Sequence, residues 1–211
     1  MSIYFLLLLM MILLLYKGIV SSLDYAPKKI KVISTMAFIL MTFRYISLIS
    51  LFIIQNQSYL YLLKPMVFTN LLCIPICGMI SVFIFARNNK INFKKILLIS
   101  IILCISYLIF IYKSPANVNI SKIYGYNIEL KFEDYYYIPI LIISSAFVIK
   151  GIKLFNETYS NKLGAILIIV SSSITIISVL LMSINAGFVG LLLGDISWII
   201  TIDYALMKLK K

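Results

Sequence analysis

Four ionisable side chains stand in otherwise apolar stretches of this chain: Arg44, Lys64, Asp195 and Asp203. A lone charge in such surroundings is costly, so each should meet a counter-charge, a polar ligand or water. Arg44 and Asp195 suit one another in sign. As partners they could lock two helices together or hold a polar ligand between them, and a proton-coupled role for Asp195 is a further reading. Asn70 adds an amide that both donates and accepts. Histidine is absent, which removes His-ligated metal sites and the Ser-His-Asp and Cys-His constellations. Cys73 and Cys77 are one helical turn apart, but two thiols without further ligands do not make a metal site, and Cys104 is isolated. No glycine-rich nucleotide loop or nucleophile elbow is present, so we assign no catalytic residue, metal or cofactor.

The elements that position these groups follow from composition. Of 211 residues 63% are hydrophobic and 12% charged, with a mean hydropathy of +1.07. A soluble chain is about half apolar and a quarter charged. The expected fold is therefore all-α, a polytopic membrane helix bundle forming a single domain over residues 1–211. The net charge of +12 does not indicate nucleic acid, because the basic residues lie in short clusters between apolar runs.

A membrane-spanning helix needs about 20 mostly apolar residues. Seven runs qualify, at roughly 3–20, 32–54, 61–86, 95–112, 138–154, 163–184 and 187–207. No positive charge precedes the first run and Lys17 follows it, so it reads as an uncleaved helix entering from outside rather than a signal peptide. One set of connections holds Lys17, Lys28, Lys29 and Lys31, then Arg87, Lys90, Lys94 and Lys95, then Lys150, Lys153 and Lys162, and finally Lys208, Lys210 and Lys211. The alternate set holds only Lys113, Lys122 and Lys131. Basic residues are retained in the cytoplasm, which places the N-terminus outside and the C-terminus inside. In that frame Arg44 lies roughly 15 Å and Asp195 roughly 12 Å from the outer surface, at about 1.5 Å per residue. Equal depth makes them candidate partners. Asp203, two turns further on, falls near the cytoplasmic end beside Lys208, where a solvated or lysine-paired role is expected.

One long connection, from about 113 to 137, faces outward in this frame. Ile128, Leu130 and Phe132 alternate with polar residues after the turn-like Gly125 and Asn127, as in a short β-hairpin. Tyr124, Tyr126, Tyr135, Tyr136 and Tyr137 place a dense aromatic group there, either an interfacial belt or a lid over a ligand surface. Pro75 in the third run is expected to kink its helix, and Lys64 and Asn70 precede it. A hydroxyl series from Ser171 to Ser183 is followed by Gly190 and Gly194, a small-residue pair suited to close packing within the bundle or to a homodimer.

The proline-bearing third helix with its basic end (CIPICGMISVFIFAR), the outer aromatic loop (YGYNIELKFEDYYYIPILIISSAFVIKGIKL) and the final ALMKLKK resemble the seven-helix N-terminal sensory region of bacterial membrane histidine kinases. That resemblance implies a non-enzymatic sensor or accessory subunit in the cell membrane of a bacterium, signalling through a cytoplasmic or membrane partner. In that family an output domain follows the last helix, whereas this sequence stops at Lys211, so a stand-alone sensor, a partner-binding subunit or a diverged protein is expected. A small-solute or ion transporter is the alternative from the intramembrane Arg44 and Asp195. Lys64-Pro65 and Gly194-Asp195 are also similar to elements of the lysoplasmalogenase-like lipid hydrolases, which would imply catalytic roles for Asp195 and Asp203; their spacing here departs from that pattern.

Overall fold

A computed structural model describes residues 2–53, 60–86, 93–121, 125–131, 134–184 and 190–210. Over these the chain forms α1 (Ser2–Tyr25), α2 (Lys28–Ile53), a 3-10 turn (Tyr61–Leu63), α3 (Lys64–Val67), α4 (Asn70–Ala86), α5 (Phe93–Lys113), β1 (Ala116–Ser121), β2 (Gly125–Leu130), α6 (Asp134–Asn156), α7 (Lys162–Ile184) and α8 (Gly190–Met207). Among the described residues six stretches are long and apolar enough to cross a membrane, the third being the composite Tyr61–Ala86. This is the build of a multi-pass membrane protein, in which a helix satisfies its own backbone away from water.

The elements start and stop for local reasons. Pro27 separates α1 from α2, and its carbonyl accepts from Lys31 N–H at 2.9 Å, the first turn of α2. The first connection is therefore only Ala26 and Pro27, and Lys17, Lys28, Lys29 and Lys31 lie within the helices rather than between them. Ser114-Pro115 ends α5, because the residue before a proline is pushed out of helical conformation. Asn161 begins α7: its side chain accepts from Gly164 N–H at 3.2 Å, while its own N–H donates to Phe85 O at 3.0 Å and ties α7 to the end of α4.

α4 is the central helix, packed by α2, α6, α7 and α8, while α8 also lies along α1 and α7. The composite stretch containing α4 is 83% buried and α5 only 17%, so α5 is a peripheral helix with a lipid-ready face of Leu98, Ile101, Ile102, Ile105, Leu108 and Ile109. Close approach depends on glycine at specific points. A Cβ on Gly78 of α4 would run into the Phe147 ring of α6, and one on Gly164 into Phe85. Gly78→Ala is therefore expected to lower stability by about 1–3 kcal/mol through overpacking. Thermal unfolding in detergent should show the loss, with partial recovery in the Gly78→Ala/Phe147→Leu double variant.

Three local features refine these expectations. The third helix is interrupted at Phe68 and Thr69, and Pro75 lies inside α4. Leu71 N–H turns to Phe68 O at 3.1 Å instead of reaching four residues back, and the Thr69 hydroxyl donates to Met66 O at 2.8 Å. These local bonds compete with the helical ladder. Second, β1 pairs antiparallel with β2, Ala116 facing Leu130 and Ser121 facing Gly125. Gly125 and Asn127 are thus strand residues; residues 122–124 and Phe132 lie outside the described residues. Third, Gly194 faces Thr175 of α7, a contact inside the bundle; the surroundings of Gly190 lie outside the described residues.

Candidate functional site

α2 carries Arg44 and Tyr45 into the bundle, and α8 brings Asp195 to meet them. Arg44 Nη1 and Tyr45 OH both donate to Asp195 Oδ2, the tyrosine at 2.7 Å. Asp195 is fully buried and Arg44 only 5% exposed. Arg44 Nε donates at 2.8 Å to Val67 O, a carbonyl at the interruption between α3 and α4. The break in the third helix and the buried arginine thus satisfy each other, as backbone at membrane depth requires. Asp195 Oδ1 has no hydrogen-bond partner among the described residues.

Above this cluster lies a cavity of about 130 Å³. Its wall is aromatic, with Tyr4 from α1, Phe68 at the helix break and Tyr136 and Tyr137 from α6; Leu48, Met182, Leu191 and Leu192 add apolar surface. Arg44 reaches it from one side. β2 lies across it and contributes Tyr126 through Leu130, including Asn127 and Glu129, and β2 also contacts α2. The rings are mutually braced: Phe68 meets Tyr136 edge-on at 5.1 Å, and Tyr136 meets Tyr137 at 5.3 Å. Tyr136 OH donates to Asn70 Oδ1 at 2.6 Å, fixing the ring from below. Asn70 Nδ2 is buried without a partner among the described residues.

The residues singled out from sequence therefore divide. Arg44 and Asp195 pair, Asn70 supports a cavity wall, and Tyr126, Tyr136 and Tyr137 line it. Tyr124 lies outside the described residues, as does the side chain of Tyr135. Lys64 is elsewhere, its ammonium donating to Ser114 O just beyond the C-terminus of α5, where a cation complements the helix dipole. Asp203 is buried and lysine-paired, but with Lys17 of α1 at 3.2 Å rather than Lys208, whose ammonium sits over the Tyr204 ring. The reason is packing: α1 lies against α8 and brings Lys17 within reach of Asp203.

Sequence reasoning missed Tyr4, Tyr45, Val67 and Phe68. Tyr45 had one available signal, a hydroxyl beside an intramembrane arginine; the others look like ordinary apolar positions. It also missed the tie between α7 and α8, where Trp198 Nε1 donates to Thr175 Oγ1 at 3.0 Å and Ser171 and Thr201 hydroxyls meet at 2.6 Å.

Among the described residues no three His, Cys, Asp or Glu side chains cluster as metal ligands. Neither Asp195 nor Asp203 lines the cavity, and the carboxylate among its described lining residues is that of Glu129. What the arrangement can do is enclose a small molecule between aromatic rings, an arginine and a strand. No protein-family model, no curated protein and no solved structure matches this chain.

Proposed function

We propose that this chain is a seven-span membrane receptor whose aromatic cavity binds a small ligand under the β1–β2 pair and passes the binding event to a signalling partner. In this reading α8 is the seventh span, the N-terminus and the strand pair are outside, the C-terminus is cytoplasmic, and the membrane is a bacterial plasma membrane. The observation that carries the proposal is the cavity itself, closed on one side by β2 and bordered on another by Arg44 with its Asp195 counter-charge. A mostly apolar concavity with a few convergent polar groups is the general form of a small-molecule site. Because Arg44, Asp195 and the α3–α4 break share hydrogen bonds, a ligand that shifts Arg44 would move three elements together. The basic C-terminal segment supplies the surface for a cytoplasmic partner.

Purified into lipid nanodiscs, the wild-type protein is expected to retain a small molecule visible by native mass spectrometry, and Arg44→Ala to lose it. Single cysteines placed at Asn119 and Lys210 of a cysteine-free background should label from opposite sides of the membrane with an impermeant maleimide. The same side for both would overturn the topology. A transporter is the second reading, supported by the interrupted helix beside an intramembrane charge, a recurring feature of transporter sites. Solute flux into proteoliposomes above that of empty vesicles would replace the receptor with it.

A further inference from the structure

Buried polar atoms without hydrogen-bond partners are concentrated in one part of the bundle. Among the described residues they are Asn70 Nδ2 and Ser81 Oγ on α4, Ser144 Oγ on α6, and Asp195 Oδ1 and Asp203 Oδ1 on α8. All of these side chains are buried, Asp203 being the most exposed of them at 8%. α4 packs against both of the other helices, and contacts at two heights show that the three run in the same direction. Tyr136 reaches Asn70 near the start of α4, and Phe147 covers Gly78 further along. Trp198 packs on Phe147 at that second level, and Tyr204 meets Phe85 beyond it. On this alignment the unpaired groups descend in steps. Asn70 comes first, Asp195 and Ser144 lie about 8 Å deeper, Ser81 about 8 Å beyond them and Asp203 about 4 Å further, at about 1.5 Å per residue.

A polar atom buried at membrane depth takes up water or another polar group. The longer steps are each spanned by about two waters, at about 2.8 Å per hydrogen bond. Both ends of the series reach accessible groups: Asn70 holds Tyr136, which lines the cavity, and Asp203 pairs with the largely exposed Lys17. Between Asp195 and Ser81 stand the Phe147 and Trp198 rings, an apolar constriction of the kind that closes a pore by dewetting. A metal cation would need several oxygens at one level, whereas one or two are present at each, with Arg44 beside Asp195 and Lys17 beside Asp203. A proton needs only hydrogen-bonded steps.

We propose that α4, α6 and α8 enclose a proton path from the cavity to the Lys17–Asp203 pair, closed at mid-depth by Phe147 on Trp198. A proton entering at one end releases one at the other. The Asp203 carboxylate takes it up and gives it on, so O–H bonds form and break in equal number and no electrons move.

The test reconstitutes the full chain into liposomes that hold a pH-sensitive dye, with a potassium diffusion potential imposed through valinomycin. Wild type is expected to admit protons slowly, and Phe147→Ala, which removes one ring of the constriction, several-fold faster. Asp203→Asn should lower the rate on either background, and carboxyfluorescein trapped in the same vesicles should stay inside. Proton entry above that of protein-free vesicles, lowered by Asp203→Asn, supports the path whether it is seen in wild type or only in Phe147→Ala. Background rates in both proteins, rates that Asp203→Asn leaves unchanged, or acceleration accompanied by dye loss would overturn it. If Phe147→Ala fails to fold, wild type and Asp203→Asn decide between them. Ligand retention by the cavity enters none of these measurements, so the path and the receptor reading can fail separately.

Discussion

Asp195→Ala is expected to destabilise the protein by about 3–5 kcal/mol, the cost of stranding one member of a buried ion pair. Asp195 is fully buried, and its loss would leave the Arg44 guanidinium without a counter-charge and Tyr45 OH without its acceptor. The double variant Arg44→Met/Asp195→Leu should lose less than Asp195→Ala alone, because it removes both charges and fills the space; Val67 O and Tyr45 OH remain as residual losses. Chemical or thermal unfolding in a mild detergent measures these proteins together with the single variants Arg44→Met and Asp195→Leu. Additive losses from Arg44→Met and Asp195→Leu would mean the two side chains do not act as a pair.

Trp198→Ala should cost a similar amount, about 3–5 kcal/mol. The indole is completely buried, donates to Thr175, and packs on Phe147 with ring centroids 5.1 Å apart. In a bilayer there is little hydrophobic gain in joining helices, so lost contacts and an unfilled space carry most of the penalty. Trp198→Phe keeps most of the volume but leaves the Thr175 hydroxyl without that donor, and about 1 kcal/mol is expected. A double-variant cycle with Phe147→Ala should give a coupling of about 0.5–1.5 kcal/mol. A Trp198→Ala protein as stable as wild type would show that the α6–α8 contact is not a determinant of the bundle.

The contrast between these sites and Lys17–Asp203 is instructive. Lys17 is largely exposed, with 59% of its side chain accessible. Its pairing with Asp203 adds little by itself, since exposed partners are screened and mobile. The two ion pairs share a layout, each joining α8 to the α1–α2 unit, yet only the Arg44 pair lies beside the cavity.

Much of this was legible in the chain. Arg44 and Asp195 were matched by counting residues inward, because a helix advances a fixed distance per residue and a buried charge needs its opposite. Of the aromatic group picked out by composition, Tyr126, Tyr136 and Tyr137 line the cavity, although composition alone left an interfacial belt and a lid both open. Asp203 failed that approach: depth placed it near Lys208, whereas helix rotation presents it to Lys17. The interruption of the third helix was not legible either, because it rests on local bonds at Phe68 and Thr69 that no residue type announces.

The amino-acid sequence alone determined the helical, membrane-spanning character and the positions of most apolar segments, because an environment without water obliges each segment to satisfy its own backbone. Tertiary structure decided which faces meet. Each residue turns a helix by about 100°, so a small change in rotation or tilt selects a different partner at the same depth. The cavity is therefore a product of packing: Tyr4, Phe68, Tyr126 and Tyr136 are far apart along the chain, and only the docking of α1, α6 and β2 around the broken third helix gathers them beside Arg44.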